Sequence, residues 1–169
     1  MNFVNTVITS IFSGLITSII VFVYWQMKQP NLSISKEIAK NKKGEYRIKI
    51  VNNSNFYVTD IQFQLQFRKI TNGGESPVYK AFYVELPYQQ LLQISPYSKK
   101  DKEGNYAIRV VLPMNFEEYW GNDETTMAIF IIKCSNEYNT ASKVFTQEYR
   151  KKTCIKSGEF ACLKSMEIC

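Results

Sequence analysis

Two hydrophobic periods divide the chain. From Thr6 to Trp25 (TVITSIFSGLITSIIVFVYW) there is no charged residue, and apolar side chains dominate. Val7 to Trp25 gives 19 uncharged residues, roughly 28 Å of α-helix, about one hydrocarbon thickness. After Pro30 the apolar residues recur at every second position, the period of a half-buried strand. Leu32 and Ile34 alternate in NLSISK, and Tyr46, Ile48 and Ile50 alternate in EYRIKIV. Ile61, Phe63, Leu65 and Phe67 do so strictly in DIQFQLQFRK. Further strands are predicted at VYKAFYVEL, QQLLQI, NYAIRVVL, TMAIFIIKC and SKVFTQEYR. The clusters KNKKGE, NNSN, TNGGES, SPYSKKDKEGN and SNEYNT punctuate them as turns.

This pattern predicts a mainly β protein with one N-terminal transmembrane helix, residues 1–29 with its flanks. A domain of about eight strands follows over residues 30–169. An antiparallel β-sandwich of immunoglobulin type is expected, with a barrel as the alternative. One short helix is predicted at MNFEEYW, with Asn115 placed to cap it and Glu118 three residues on. Its aromatics Phe116, Tyr119 and Trp120 are expected to lid one end of the core.

The apolar segment reads as a retained anchor. A cleaved signal peptide calls for a basic start and a small-residue cleavage site. Residues 1–6 carry no base, and the run ends in bulky Phe22, Tyr24 and Trp25, which suit a membrane interface. Lys28, Lys36, Lys40, Lys42 and Lys43 follow the segment and no Lys or Arg precedes it. The positive-inside rule then places the C-terminal domain in the cytoplasm, below an inner membrane. Lys28, Lys36 and Lys40 are expected near anionic lipid headgroups. In that reducing compartment Cys134, Cys154, Cys162 and Cys169 are expected as thiols, and the sequons at Asn31 and Asn52 are silent.

The segment itself is two-faced. At 100° per residue, Thr6, Thr9, Ser10, Ser13, Gly14, Thr17 and Ser18 all fall on one half of the helix. Ile8, Ile11, Phe12, Leu15, Ile19, Phe22 and Val23 fill the other half. Ser10, Gly14 and Ser18 repeat at four-residue spacing, a pattern of close helix association in membranes. A homo-oligomer is therefore expected, with Ser10, Ser13, Gly14, Thr17 and Ser18 at the contact. The hydroxyls can also bond back to carbonyls of their own helix.

Charge sharpens the picture. All 36 acidic and basic residues lie beyond residue 25, so the net charge of +6 belongs to the β domain and favours anionic partners. Three clusters are candidates for contact with phosphate: Lys40, Lys42 and Lys43; Lys99, Lys100 and Lys102; and Arg150, Lys151 and Lys152. Tyr97 and Tyr106 flank the second cluster, where they either stack on a base or pack at strand ends. Lysines at hairpin tips also serve simply to keep a sheet soluble. Chemistry is sparse: there is no histidine, no C-x-x-C pair and no phosphate loop or nucleophile elbow. Glu117 and Glu118 point about 100° apart on a helix and do not pair. A non-enzymatic protein without cofactor or metal is expected, and nothing points to a duplex nucleic-acid partner.

The segments NLSISKEIAK, EYRIKIVNNSNFYVTDIQFQLQF and VFTQEYRKKTCIKSGEF resemble small bacterial proteins that join one span to a cytoplasmic immunoglobulin-like domain. The closing pattern of Tyr149, Ile155, Gly158 and Phe160 is similar to the end of the cytoplasmic domain of inward-rectifier potassium channels. That likeness implies fold only, since no pore loop or filter sequence is present. Where such proteins often carry a further glycine after the phenylalanine, this chain has Leu163. In architecture, size and charge the chain resembles the membrane-associated accessory effector of type III CRISPR antiviral defence. That resemblance implies a cytoplasmic domain that binds cyclic tetra-adenylate and spans that act on the membrane as an oligomer. The rival expectation is a passive inner-membrane tether presenting an immunoglobulin-like interaction module.

Overall fold

The computed structural model describes residues 3–72, 77–121, 125–138, 142–150 and 152–169. The apolar segment forms one helix, α1 (Phe3–Met27), whose stretch Asn5–Met27 is long and apolar enough to cross a membrane. None of that stretch is buried against the rest of the chain, so α1 projects away from the β domain.

Ten strands are found among the described residues, in two sheets of five. The first sheet is built on β3 (Tyr46–Asn52), paired on one side with β7 (Ala107–Val111). On its other side β3 pairs with β1 (Leu32–Ile34) at one end and β2 (Ile38–Lys40) at the other. β10 (Ile155–Ser157) adds to β2 in parallel. The second sheet is built on the long β4 (Val58–Asn72), paired with β8 (Thr126–Asn136) along one side. Its other side is shared by β6 (Gln90–Ile94) and β5 (Pro77–Val84), and β9 (Ser142–Tyr149) lies outside β8. This is the expected β-sandwich. The sequence pattern missed β2 and β10, which at three residues each are too short to show alternation.

Alternation does the packing. Ile48 and Ile50 from β3 face Leu65 and Phe67 from β4 and Phe130 and Ile132 from β8 across a core in which all six are fully buried. At one end the short helix α2 (Phe116–Trp120) closes the sandwich. Phe67 meets Phe116, Tyr119 and Trp120 with ring centroids 5.5–5.9 Å apart. The Trp120 indole N–H donates to the Thr126 carbonyl at 2.8 Å, so the polar edge of this buried ring is satisfied. The aromatics are thus the expected lid. The cap is not the expected one: Asn115 makes no side-chain bond to the helix backbone, and its amide donates to the Tyr119 hydroxyl at 3.2 Å instead.

The opposite end receives α1. Only three further residues separate Met27 from Asn31, whose N–H donates to Ser54 Oγ at 2.9 Å. The Asn136 side chain donates to the Lys28 carbonyl, and the Lys28 ammonium sits over the rings of Tyr24, Phe56 and Tyr138 at 4.9–5.9 Å. Asn52 braces this end: its buried amide donates to the carbonyls of Phe56 and Ser95 and accepts from Ser54 N–H. An N-linked glycan on Asn52 is incompatible with that burial.

The last twelve residues fold back over the outer face of the first sheet. Phe160 and Ile168 form a bridge, and Glu159 and Cys169 exchange backbone bonds of 3.0 and 2.9 Å. The turn into this hairpin passes through Gly158 at φ +135°, where a Cβ would stand 2.3 Å from the Cys169 carbonyl oxygen. Leu163 adopts φ +58°, a left-handed backbone that explains why glycine suits this region of the pattern.

Candidate functional site

Strand alternation turns Arg47 and Lys49 of β3, and Arg109 of β7, toward the outer face of the first sheet. Lys49 and Arg109 are Cα partners in the register. The C-terminal hairpin lies across them. The Lys49 ammonium donates to the carbonyls of Ala161 at 2.6 Å and Ser165 at 2.7 Å. Arg109 donates to the Phe160 carbonyl at 2.8 Å. Lys49 is 1% exposed, and no carboxylate stands among its hydrogen-bond partners. Burial, and then the Arg109 charge beside it, hold its ammonium below the usual lysine range.

Beside the hairpin these cations open into a groove of about 450 Å³. Arg47, Lys49 and Arg109 line it, with Glu103 as its one carboxylate and Cys162 and Leu163 at its margin. A neighbouring groove of about 480 Å³ shares Arg47 and adds Lys42 and Lys43, but its cations are balanced by Glu45, Glu159 and the C-terminal Cys169. Arg47 connects the two. Its Nη2 pairs with Glu45 at 2.7 Å, while its Nε is buried and without a hydrogen-bond partner among the described residues. A larger depression of about 650 Å³ on the second sheet is lined by Gln62, Gln64, Gln89 and Gln90, with Glu85 and Lys133. It concentrates no charge, so the groove of Arg47, Lys49 and Arg109 is the better candidate for an anion.

The three basic clusters of the sequence are not gathered into one site. Lys40 is the last residue of β2 rather than part of the turn. Its ammonium pairs with Glu117 at 2.9 Å and lies 4.8 Å from the Tyr46 ring centroid. Tyr46 also donates to Glu117, at 2.5 Å. These two donors hold the Glu117 carboxyl below the usual range, and the hydrogen bonds keep the Lys40 ammonium above its own. Lys40 therefore sits at the α2 end, six β3 residues from the level of Asn52, roughly 20 Å away at strand rise. The expectation of Lys40 beside α1 is overturned, because β1 and β2 climb away from the helix exit. Lys42 and Lys43 remain on the turn, which Asn41 organises by accepting from Lys43 and Glu45 N–H.

Arg150 is exposed and pairs with Glu148 at 2.8 Å. Lys152 stands near enough to Glu117 to lower its pKa. Lys151 lies outside the described residues. Lys99, Lys100 and Lys102 are exposed on a turn whose two ends, Tyr97 and Tyr106, bond to Ser54 and Asn52 at the end of the sandwich that α1 joins. Tyr97 and Tyr106 pack edge to face at 5.0 Å, with Tyr106 buried, as strand-end packing requires.

In α1 the hydroxyls of Thr9, Ser10, Thr17 and Ser18 donate to the carbonyls four residues earlier at 2.7–2.9 Å. Each is satisfied within its own helix and needs neither water nor a partner. The Gly14 surface is open. Of the thiols, Cys134 is buried and pushed up to about 12, and Cys154 to about 11 by burial. Neither is poised as a thiolate nucleophile at neutral pH.

The sequence matches no family model and no curated protein. Arg47, Lys49 and Arg109 were missed in the sequence because 54 residues separate β3 from β7. The available signal was alternation: RIKI and IRVV each turn their cations to the polar face.

Proposed function

We propose that the chain is a non-enzymatic, single-pass membrane protein whose sandwich binds a small anionic ligand in the groove of Arg47, Lys49 and Arg109. The observation that carries this reading is a groove lined by Arg47, Lys49 and Arg109 with Glu103 as its one carboxylate, in which the Lys49 and Arg109 side chains meet backbone carbonyls and no acid. A phosphate there would accept charge-assisted bonds from the accessible N–H groups of the guanidinium side chains. The lysines that follow α1 support a cytoplasmic domain at an inner membrane. The fuller form of the proposal is an effector of antiphage defence. There a cyclic oligoadenylate in the groove would rearrange the α1 helices of a homo-oligomer, binding one arrangement more tightly than the other.

The purified full chain in detergent, titrated by calorimetry with cyclic oligoadenylates, tests the reading. Binding should weaken as salt rises. Arg109→Gln should weaken it about tenfold or more, while Lys80→Gln on the edge strand β5 should not. Absence of binding, or binding indifferent to Arg109, would remove the receptor reading. The self-satisfied hydroxyls of α1 favour a second reading, a passive tether that presents the sandwich to a protein partner.

A further inference from the structure

We infer that the turn carrying Lys99, Lys100 and Lys102 docks on an anionic lipid bilayer, holding the α1 end of the sandwich against the membrane surface. The inference rests on α1 crossing the membrane, as proposed above, and is independent of any ligand in the groove. Its first support is position. Asn31 follows Met27 so closely that the β domain cannot rise far from the bilayer, and α1 buries none of its length against the sandwich. The surface beside the helix exit must therefore face the headgroups. Ser54 marks that surface: its hydroxyl accepts from Asn31 and its carbonyl from Tyr97 at 2.8 Å. The lysine turn starts one residue after Tyr97 and returns at Tyr106, whose carbonyl accepts from Asn52.

The second support is charge. The Asp101 carboxylate is occupied by N–H groups of Glu103, Gly104 and Asn105 at 2.8–3.1 Å, which shapes the turn and leaves the three lysines exposed. Lys164 extends the patch, with its ammonium 4.5 Å from the Tyr97 ring centroid. Asp101, Glu103 and Glu137 at this end accept only from neutral donors and keep their charge, so Lys99, Lys100, Lys102 and Lys164 outnumber these acids by one. Exposed Tyr57 and Tyr138 lie at the same end, the side chains that favour a membrane interface. Clustered lysines immediately after a span are attracted to an anionic leaflet within a Debye length.

The test is amine footprinting of the full chain, reconstituted in vesicles of phosphatidylcholine alone or with phosphatidylglycerol, using a membrane-impermeant reagent. Lys80, exposed on β5 toward the far end, serves as internal reference. Labelling of Lys99, Lys100 and Lys102 relative to that reference should fall about threefold or more in the phosphatidylglycerol vesicles and recover at about 0.5 M salt. Equal ratios in the two vesicles would overturn the inference. So would equal protection by inorganic phosphate in phosphatidylcholine, which would make the turn a site for free anions. A carbonate wash of the same vesicles separates the premise: extraction of the chain would overturn the spanning helix, and this docking with it.

Discussion

Lys49 and Arg109 stand opposite each other on adjacent strands, and both side chains reach carbonyls of the same C-terminal hairpin. Two like charges side by side are tolerated because backbone oxygens, rather than an acid, receive them. The arrangement disfavours the protonated lysine, so its folded pKa is lowered from 10.5. Between the folded value and 10.5 the unfolded chain binds more protons, and stability contributed by this site rises with pH. Thermal midpoints of the wild type should therefore gain on those of Lys49→Met as the pH is raised toward 10.5. Parallel curves for the two proteins would show that Lys49 titrates as an ordinary surface lysine.

Glu117 has the opposite sign. Its carboxyl is lowered from 4.5 by the Tyr46 hydroxyl and the Lys40 ammonium. The stability it contributes is present above 4.5 and is lost as pH falls through the folded value. Glu117→Gln should cost about 1 kcal/mol near neutrality, because the amide can still accept from Tyr46 but lacks the charge that strengthens that bond and pairs with Lys40. In urea unfolding that difference should shrink progressively as the pH is taken below 4.5.

The hairpin depends on its two unusual backbone positions. Gly158→Ala forces a Cβ against the Cys169 carbonyl at 2.3 Å and should cost on the order of 2 kcal/mol or release the hairpin. Released, it would expose Lys49, visible as faster exchange of the β3 and β7 amides. Leu163→Gly should be more stable than Leu163→Ala by about 1 kcal/mol, because only the glycine relieves the left-handed strain.

The span separates the two functional readings. If α1 packs against copies of itself, Gly14→Leu should break the oligomer in crosslinking, and Leu15→Ile on the other face should be nearly silent. Replacement of residues 6–25 by a leucine-rich span should leave the fold and groove intact. It should abolish toxicity or membrane leakage if the chain is an effector, and preserve function if it is a tether.

Elements were legible where side chains alternate over five or more residues, as in β3, β4 and β8. α1 was legible because it lacks charge. What stayed hidden depends on register. Lys40 meets Glu117 across 77 positions, and Lys49 meets Ser165 across 116. Grouping lysines by adjacency in sequence placed Lys40 with Lys42, whereas strand pairing gives it to α2. The same grouping could not show that Lys99 and Lys42 belong toward opposite ends of the sandwich. Asn115 has the sequence of a cap, but the nearby Tyr119 hydroxyl takes its amide.

The link between α1 and the sandwich has a mechanical consequence. Lys28 is gripped from both sides, its carbonyl by Asn136 and its ammonium by three aromatic rings, and Asn31 is bonded to Ser54. With three residues between Met27 and Asn31 and contacts at both Lys28 and Asn31, little slack is left between helix and domain. A change in the tilt or rotation of α1 is therefore felt first at Ser54 and Asn136, the side chains that hold the joint.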